Sequence, residues 1–236
     1  MQMNHESFRH STALRVSLKR GLARQALANA ARSAADLPAL FAAASRMRPN
    51  ARGVERLALR LQGCPGVTRV AGNARSLTFT AREVCEVESR VGGESAFRET
   101  GLVYLRVRVG MAGGGLTFRL AAVSFCAHAL ERLVERSDLD LRAPLLAQMD
   151  AEAQALFRAR DAGACILEGD DEFLAGATPG VWAGGHDGMA PGADWGLGFD
   201  PGASVPVFSA RTFLSPEQMR PTVWLRWKND PACRIS

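Results

Sequence analysis

Tyrosine occurs once and lysine only twice in this chain of 236 residues. No run of apolar residues approaches the roughly 20 needed to cross a bilayer as a helix. No apolar stretch followed by a small-residue cleavage site opens the chain, so no secretory signal is expected. The five cysteines (Cys64, Cys85, Cys126, Cys165 and Cys233) are odd in number, far apart and without a CxxC pair. That pattern argues against a disulfide framework and points to reduced thiols in a cytoplasmic compartment. No internal repeat is visible, which argues against solenoids and propellers.

What is present favours a packed fold. Apolar residues make up 47% of the chain and charged residues 22%, enough apolar surface to oppose wholesale disorder. Net charge is +5, unevenly spread: residues 1–60 hold 11 basic and 3 acidic side chains, and the remainder holds 18 and 21. The basic excess therefore lies in the N-terminal quarter and suits an anionic partner: nucleic acid such as RNA, an acidic protein or a membrane surface. Apart from Lys19 and Lys228 every basic residue is arginine. The guanidinium fork suits phosphate and carboxylate, although a coding bias towards Arg and Ala gives the same composition.

Periodicity divides the chain into a basic helical segment, 1–62, and an α+β domain, 63–236. Helical spacing runs from Ser11 to about Arg32, with Leu14, Leu18, Leu22, Ala26 and Ala30 in one row. Asp36 and Pro38 start a second helix to about Arg48, and Gly53 to Leu61 supplies a third. The Arg-rich, acid-poor start reads either as a membrane-surface or targeting helix or as a plain layer packed on the fold.

After Gly66 strand patterns take over: Val67–Ala71, Ser76–Thr80, Val84–Val91 and Gly101–Gly110, with Arg106 and Arg108 on one side of the last. Thr80–Glu83 also suits a helix start. Gly113–Gly115 reads as a hairpin turn returning into Leu116–Ser124. A capped helix is expected over Val123–Ser137, then mostly helix from Asp138 to about Asp161. Ala164–Glu168 reads as a short strand. The Gly-, Pro- and Asp-rich stretch 169–206 reads as loop with extended pieces at Val181–Ala183 and Gly196–Asp200, and Gly184–Gly188 as a loop within it. Val205–Leu214 is a late strand, Ser215 caps a helical turn, and Thr222–Trp227 suits a strand or a short helix. The fold class is α+β: an N-terminal helical layer before a mainly antiparallel sheet packed with two central helices.

The helix after Val123 gathers the chemistry. At 100° per residue Leu130, Leu133 and Val134 share one arc, and His128, Glu131, Arg132, Glu135 and Arg136 the other. An imidazole one turn from a guanidinium can move a proton near neutral pH beside a held phosphoryl group, without a metal. The same spacing suits a solvated face of i,i+4 ion pairs. The string His128-Ala-Leu-Glu-Arg132-Leu-Val-Glu-Arg136 resembles the HAxxRxxxR helix of small toxin-like ribonucleases of the barnase–EndoU–colicin–RelE-like grouping. The resemblance spans about residues 120–215. It implies metal-independent RNA cleavage by His128, Arg132, Arg136 and Thr212, with Arg211 nearby and no cofactor.

His186-Asp187 offers either a second acid–base group or a solvent loop. A zinc set of Cys126, His128, Cys165 and His186 has no ligand pair at the usual spacing, so no metal is expected. Trp182, Trp195, Trp224 and Trp227 suit core packing or base stacking. A non-catalytic adaptor, docking an acidic partner or nucleic acid through the basic N-terminal helices, is the second reading of the whole chain.

Overall fold

The computed structural model describes residues 3–91, 94–140, 142–192, 195–199 and 204–229. Three helices come first: α1 (Met3–Arg32), α2 (Leu37–Ser45) and α3 (Ala51–Gln62). Strands β1 (Val67–Asn73), β2 (Ser76–Val91), β3 (Glu94–Ala112) and β4 (Gly115–Cys126) follow. Then come α4 (Ala127–Arg136), α5 (Leu145–Asp161), β5 (Cys165–Glu168), β6 (Asp171–Ala175), β7 (Val181–Met189), β8 (Val205–Leu214) and α6 (Pro221–Asn229). The α+β class stands. Among the described residues no helix is long and apolar enough to cross a membrane.

The eight strands form one sheet in the order β1-β2-β3-β4-β8-β7-β6-β5. β4 and β8 run parallel, and the other neighbours run antiparallel. The parallel pair joins two hairpin-built halves through the crossover that carries α4 and α5. The β3–β4 turn is the expected glycine turn: Gly113 and Gly114 hold φ of 59° and 79°, conformations a side chain disfavours.

Strand alternation sorts the side chains into two cores. Leu102, Tyr104, Val123 and Phe125 pack with α1, α4 and α5. Val103, Leu105, Val107, Val109 and Ala122 face the other way and pack with Leu40, Phe41, Met47, Val54, Leu57 and Leu61 of the α2–α3 region. The basic N-terminal helices are thus layers of the fold, α1 on one face and α2 and α3 on the other. The boundaries match their caps: Asp36 Oδ1 accepts from Ala39 N at 3.0 Å, and Asn50 Oδ1 accepts from Gly53 N at 2.8 Å. Leu18, expected in the apolar row of α1, is exposed, and Ala23 and Leu27 are buried instead.

Several expectations change. The helix expected from Val123 starts four residues later, because Val123 and Phe125 are buried and pair with β3 and β8. Its N-cap is Cys126, with no side-chain cap bond. Thr80–Glu83 continues as strand inside β2. The stretch from Gly169 is more ordered than its composition implies: it holds β6 and β7, and Gly184–Gly188 lies inside β7 rather than in a loop. At the β7–β8 bulge a Cβ on Gly184 would collide with the Ser209 carbonyl, so glycine there permits close strand approach. Leu197 and Phe199 pack without forming a strand, while Asp200 lies outside the described residues. The end is helical, as α6.

Polar groups at depth fix α5 to the sheet. The Glu152 carboxylate is fully buried and accepts five hydrogen bonds. The donors are Gln148 Nε2 (2.8 Å), Thr178 N (2.8 Å), Thr178 Oγ1 (2.5 Å), Ala177 N (2.9 Å) and Trp182 Nε1 (2.8 Å). Two residues earlier Asp150 accepts from Arg82 Nη1 at 2.6 and 2.8 Å and from the Tyr104 hydroxyl at 2.8 Å. Arg82 also donates to Ser33 Oγ at 2.8 Å, which brings the end of α1 into the same network. Arg106 and Arg108 share one side of β3 as expected, and that side meets α5, where both donate to Asp161.

Burial, then the Asp150 carboxylate, raises the Tyr104 phenol well above its ordinary 10.0. A raised folded-state value means that the fold is favoured while the phenol keeps its proton. Stability is therefore expected to hold up to about pH 10 and to fall as pH rises towards the folded-state value. Urea unfolding of the wild type and Tyr104→Phe across alkaline pH checks this: the variant should lose less stability above pH 10.

Candidate functional site

α4 sits in a cage of partners. Ala129, Leu130, Leu133 and Val134 are fully buried and lock the apolar face. The polar face meets α1: Lys19 Nζ lies 3.0 Å from Glu135 Oε2, and Arg20 Nε lies 3.9 Å from Glu131 Oε2. Burial pushes the Glu135 carboxyl up, but hydrogen bonds from Lys19 and Arg132 outweigh it and hold the group below its usual range.

The predicted residues fall into two pairs and two outliers. Arg132 Nε donates to His128 Nε2 at 3.0 Å while Arg132 Nη1 donates to Glu135 at 2.7 Å. His128 is exposed. Arg136 Nη1 donates to Thr212 Oγ1 at 3.2 Å and to the Phe213 carbonyl at 2.8 Å. Burial, then the neighbouring Arg132, lowers its basicity. Arg136 lines a cleft of about 550 Å³ that also presents Asp138, Asp140 and Glu217, but neither His128 nor Arg132. Arg211 is exposed and its guanidinium lies over Gly185. His186 lies elsewhere on β7, opposite Phe208 and in contact with Glu172.

The structure gathers two further groups. The first is a cleft of about 470 Å³ lined by Arg46, Arg48, Arg52, Arg56 and Arg60, with Met47 and Leu57 at its base. All five arginines are exposed. Among the described residues no carboxylate lies within ion-pair distance of any of them. Arg52, Arg56 and Arg60 repeat every four residues, a rise of about 6 Å each on one face of α3. Like charges at this spacing disfavour the helix by a few tenths of a kcal/mol per pair. Arg52, in the first turn, also opposes the positive end of the helix, whereas Arg60 in the last turn is favoured there. The sequence signal was there as the i,i+4 arginine row, hidden within the broader basic excess.

The second group is Cys165, Glu172 and His186, on neighbouring strands β5, β6 and β7. Their sulfur, oxygen and nitrogen atoms all lie within 4.8 Å of one another. Two of these residues were in the rejected zinc set. Cys126 and His128 do not join them: the Cys126 thiol points to the Arg211 carbonyl at 3.7 Å, and His128 is held by Arg132. The partner that completes the group, Glu172, comes from a strand the sequence pattern missed.

The tryptophans divide by burial. Trp182 and Trp195 are core residues. Trp224 carries the Lys228 ammonium 4.4 Å above its ring.

The two pairs on α4 respond differently to truncation. Arg136→Ala removes the hydrogen bond that satisfies the Phe213 carbonyl and is expected to cost about 1–3 kcal/mol. His128→Ala, at an exposed position, is expected to stay within about 0.5 kcal/mol. Urea midpoints of the two variants check this ordering, and an equal loss would contradict it.

Comparison with family models, curated proteins and solved structures gives no match for this chain.

Proposed function

We propose that the chain is a nucleic-acid-binding protein that holds a phosphate backbone in the arginine cleft of α2 and α3. One observation carries the reading: five exposed guanidiniums line one cleft with no carboxylate in ion-pair reach among the described residues. Their cost to α3 is repaid when phosphates supply the missing anions. The repeat along α3 is on the scale of successive phosphates along a strand.

A protein partner is the weaker fit. The apolar residues at the base, Met47 and Leu57, are already buried, which leaves little apolar surface for the centre of a protein interface. No aromatic ring lines the cleft. Contact is therefore through phosphates, with little reading of bases.

Binding of a labelled RNA strand should fall steeply with salt. Arg52→Glu with Arg56→Glu should weaken it about tenfold or more and flatten the salt slope by about 0.7–0.9 per lost phosphate contact. These positions are exposed, so the fold should persist. No binding at low salt, or binding that the double variant leaves unchanged, would sink the reading. A DNA strand in parallel reports whether the sugar matters.

A second reading has its own support. His128 is exposed and in contact with Arg132, and Arg136 meets Thr212, which suits the metal-independent RNA cleavage that the α4 motif implies. In that chemistry the 2′-hydroxyl loses its proton and bonds to the adjacent phosphorus, and the 5′-oxygen leaves and regains a proton. His128 is the proton carrier and Arg132, beside it, holds the phosphoryl oxygens. Incubating RNA with the chain in chelator tests it: cleavage should appear and vanish in His128→Ala, whereas no cleavage, or cleavage that survives the change, rejects it.

A further inference from the structure

We propose that Cys165, Glu172 and His186 form a three-ligand site for a divalent cation of the zinc class, on the edge of the sheet formed by β5, β6 and β7. The register places all three on one face. Cys165 pairs with Leu174, two residues along from Glu172 on β6. Glu172 pairs with Gly184, two residues along from His186 on β7. Each ligand is thus diagonal to the next, within reach of side chains that lean along the strands.

The donor set is a thiol, a carboxylate and an imidazole, the three ligand types that zinc takes from proteins. Around a tetrahedral zinc ion such donors sit about 3.3–3.8 Å apart. Here the thiol lies 4.0 Å from Glu172 Oε2, and all three donor atoms fall within 4.8 Å of one another. His186 Nδ1 and Glu172 Oε2 touch each other directly, so an ion enters by parting these two and drawing in the thiol through side-chain rotation. The His186 and Glu172 side chains keep 40% and 26% of their surface exposed, so an ion has a path in and a solvent-facing fourth position.

A histidine–carboxylate ion pair alone accounts for two of the three groups. It does not account for the thiol on the same face. The Cys165 thiolate and the Glu172 carboxylate together balance a divalent charge, so the bound site is neutral. That matters because Arg160 lies within electrostatic reach of Glu172. Its guanidinium is anchored on the Ala122 carbonyl at 2.6 Å rather than on the carboxylate, which leaves Glu172 available to an ion. Binding releases the thiol proton to solvent.

The consequence for the fold is local. β5 is four residues long and forms the sheet edge, with β6 as its strand partner and Arg226 of α6 donating to the Leu167 carbonyl at 3.0 Å. An ion bonded to β5, β6 and β7 at once ties that edge to the sheet interior.

The test uses the full chain, tag-free, reduced and stripped of metal, titrated with cobalt(II) and then with zinc. One equivalent of cobalt should bind with a thiolate-to-cobalt charge-transfer band that zinc abolishes. Cys165→Ser should lose that band, His186→Ala should weaken binding about tenfold or more, and Cys64→Ser should retain both band and affinity. His186 is half-exposed, so its variant reports even if Cys165→Ser does not fold. Absence of cobalt binding by the folded chain, a band that survives Cys165→Ser, or unchanged affinity in His186→Ala would each overturn the site.

Discussion

A carboxylate with no access to water organises this molecule. Glu152 lies in the middle of α5, fully buried, and every one of its five hydrogen bonds comes from a neutral donor. Burying such a group is costly unless its oxygens are saturated. Saturation here requires the turn at 177–178 and the Trp182 indole to stand where they do, and so it orients α5 against the second half of the sheet. The other polar contacts of α5 are set by the same placement. Asp150 reaches Arg82 and Tyr104 in the first half, and Asp161 reaches Arg106 and Arg108 at the far end. The helix therefore bridges both halves of a sheet that meet only through the parallel β4–β8 pair.

The same architecture decides where charge is spent and where it is left over. On the α4 face lysine, arginine and glutamate from α1 and α4 neutralise one another, and Arg136 is consumed by β8. On the opposite face α3 carries a row of arginines with no acidic counterpart in reach among the described residues. Alternation along β3 and β4 puts these two surfaces on opposite sides of the sheet. Cleavage chemistry at α4 and phosphate holding at α3 are for this reason separate proposals, each with its own variants.

Much of the fold is legible in the sequence because it depends on local signals. The Asp36 and Asn50 caps, the Gly113–Gly114 turn, the alternation of β3 and the limits of β8 can be read from neighbouring residues. The helix face of α4 is legible too, and Arg136 does meet Thr212. The failures share one cause, contacts between distant segments. Val123 and Phe125 are drawn into a strand by β3 and β8. Gly184 and Gly185 read as loop residues, but they belong to a strand because the bulge on β8 needs room. Cys165, Glu172 and His186 follow no ligand spacing along the chain, since strand register brings them together. The arginine cleft lay between these cases: its row is local, but its lack of carboxylate partners is a property of the folded surface.

The phosphate-holding cleft is tested most directly by mapping where nucleic acid touches the chain. Ultraviolet cross-linking of a bound RNA strand, followed by digestion and mass spectrometry, reads the contact residue by residue. Adducts should concentrate in peptides spanning residues 46–60. Adducts confined to residues 128–136, or spread without preference over the surface, would contradict it.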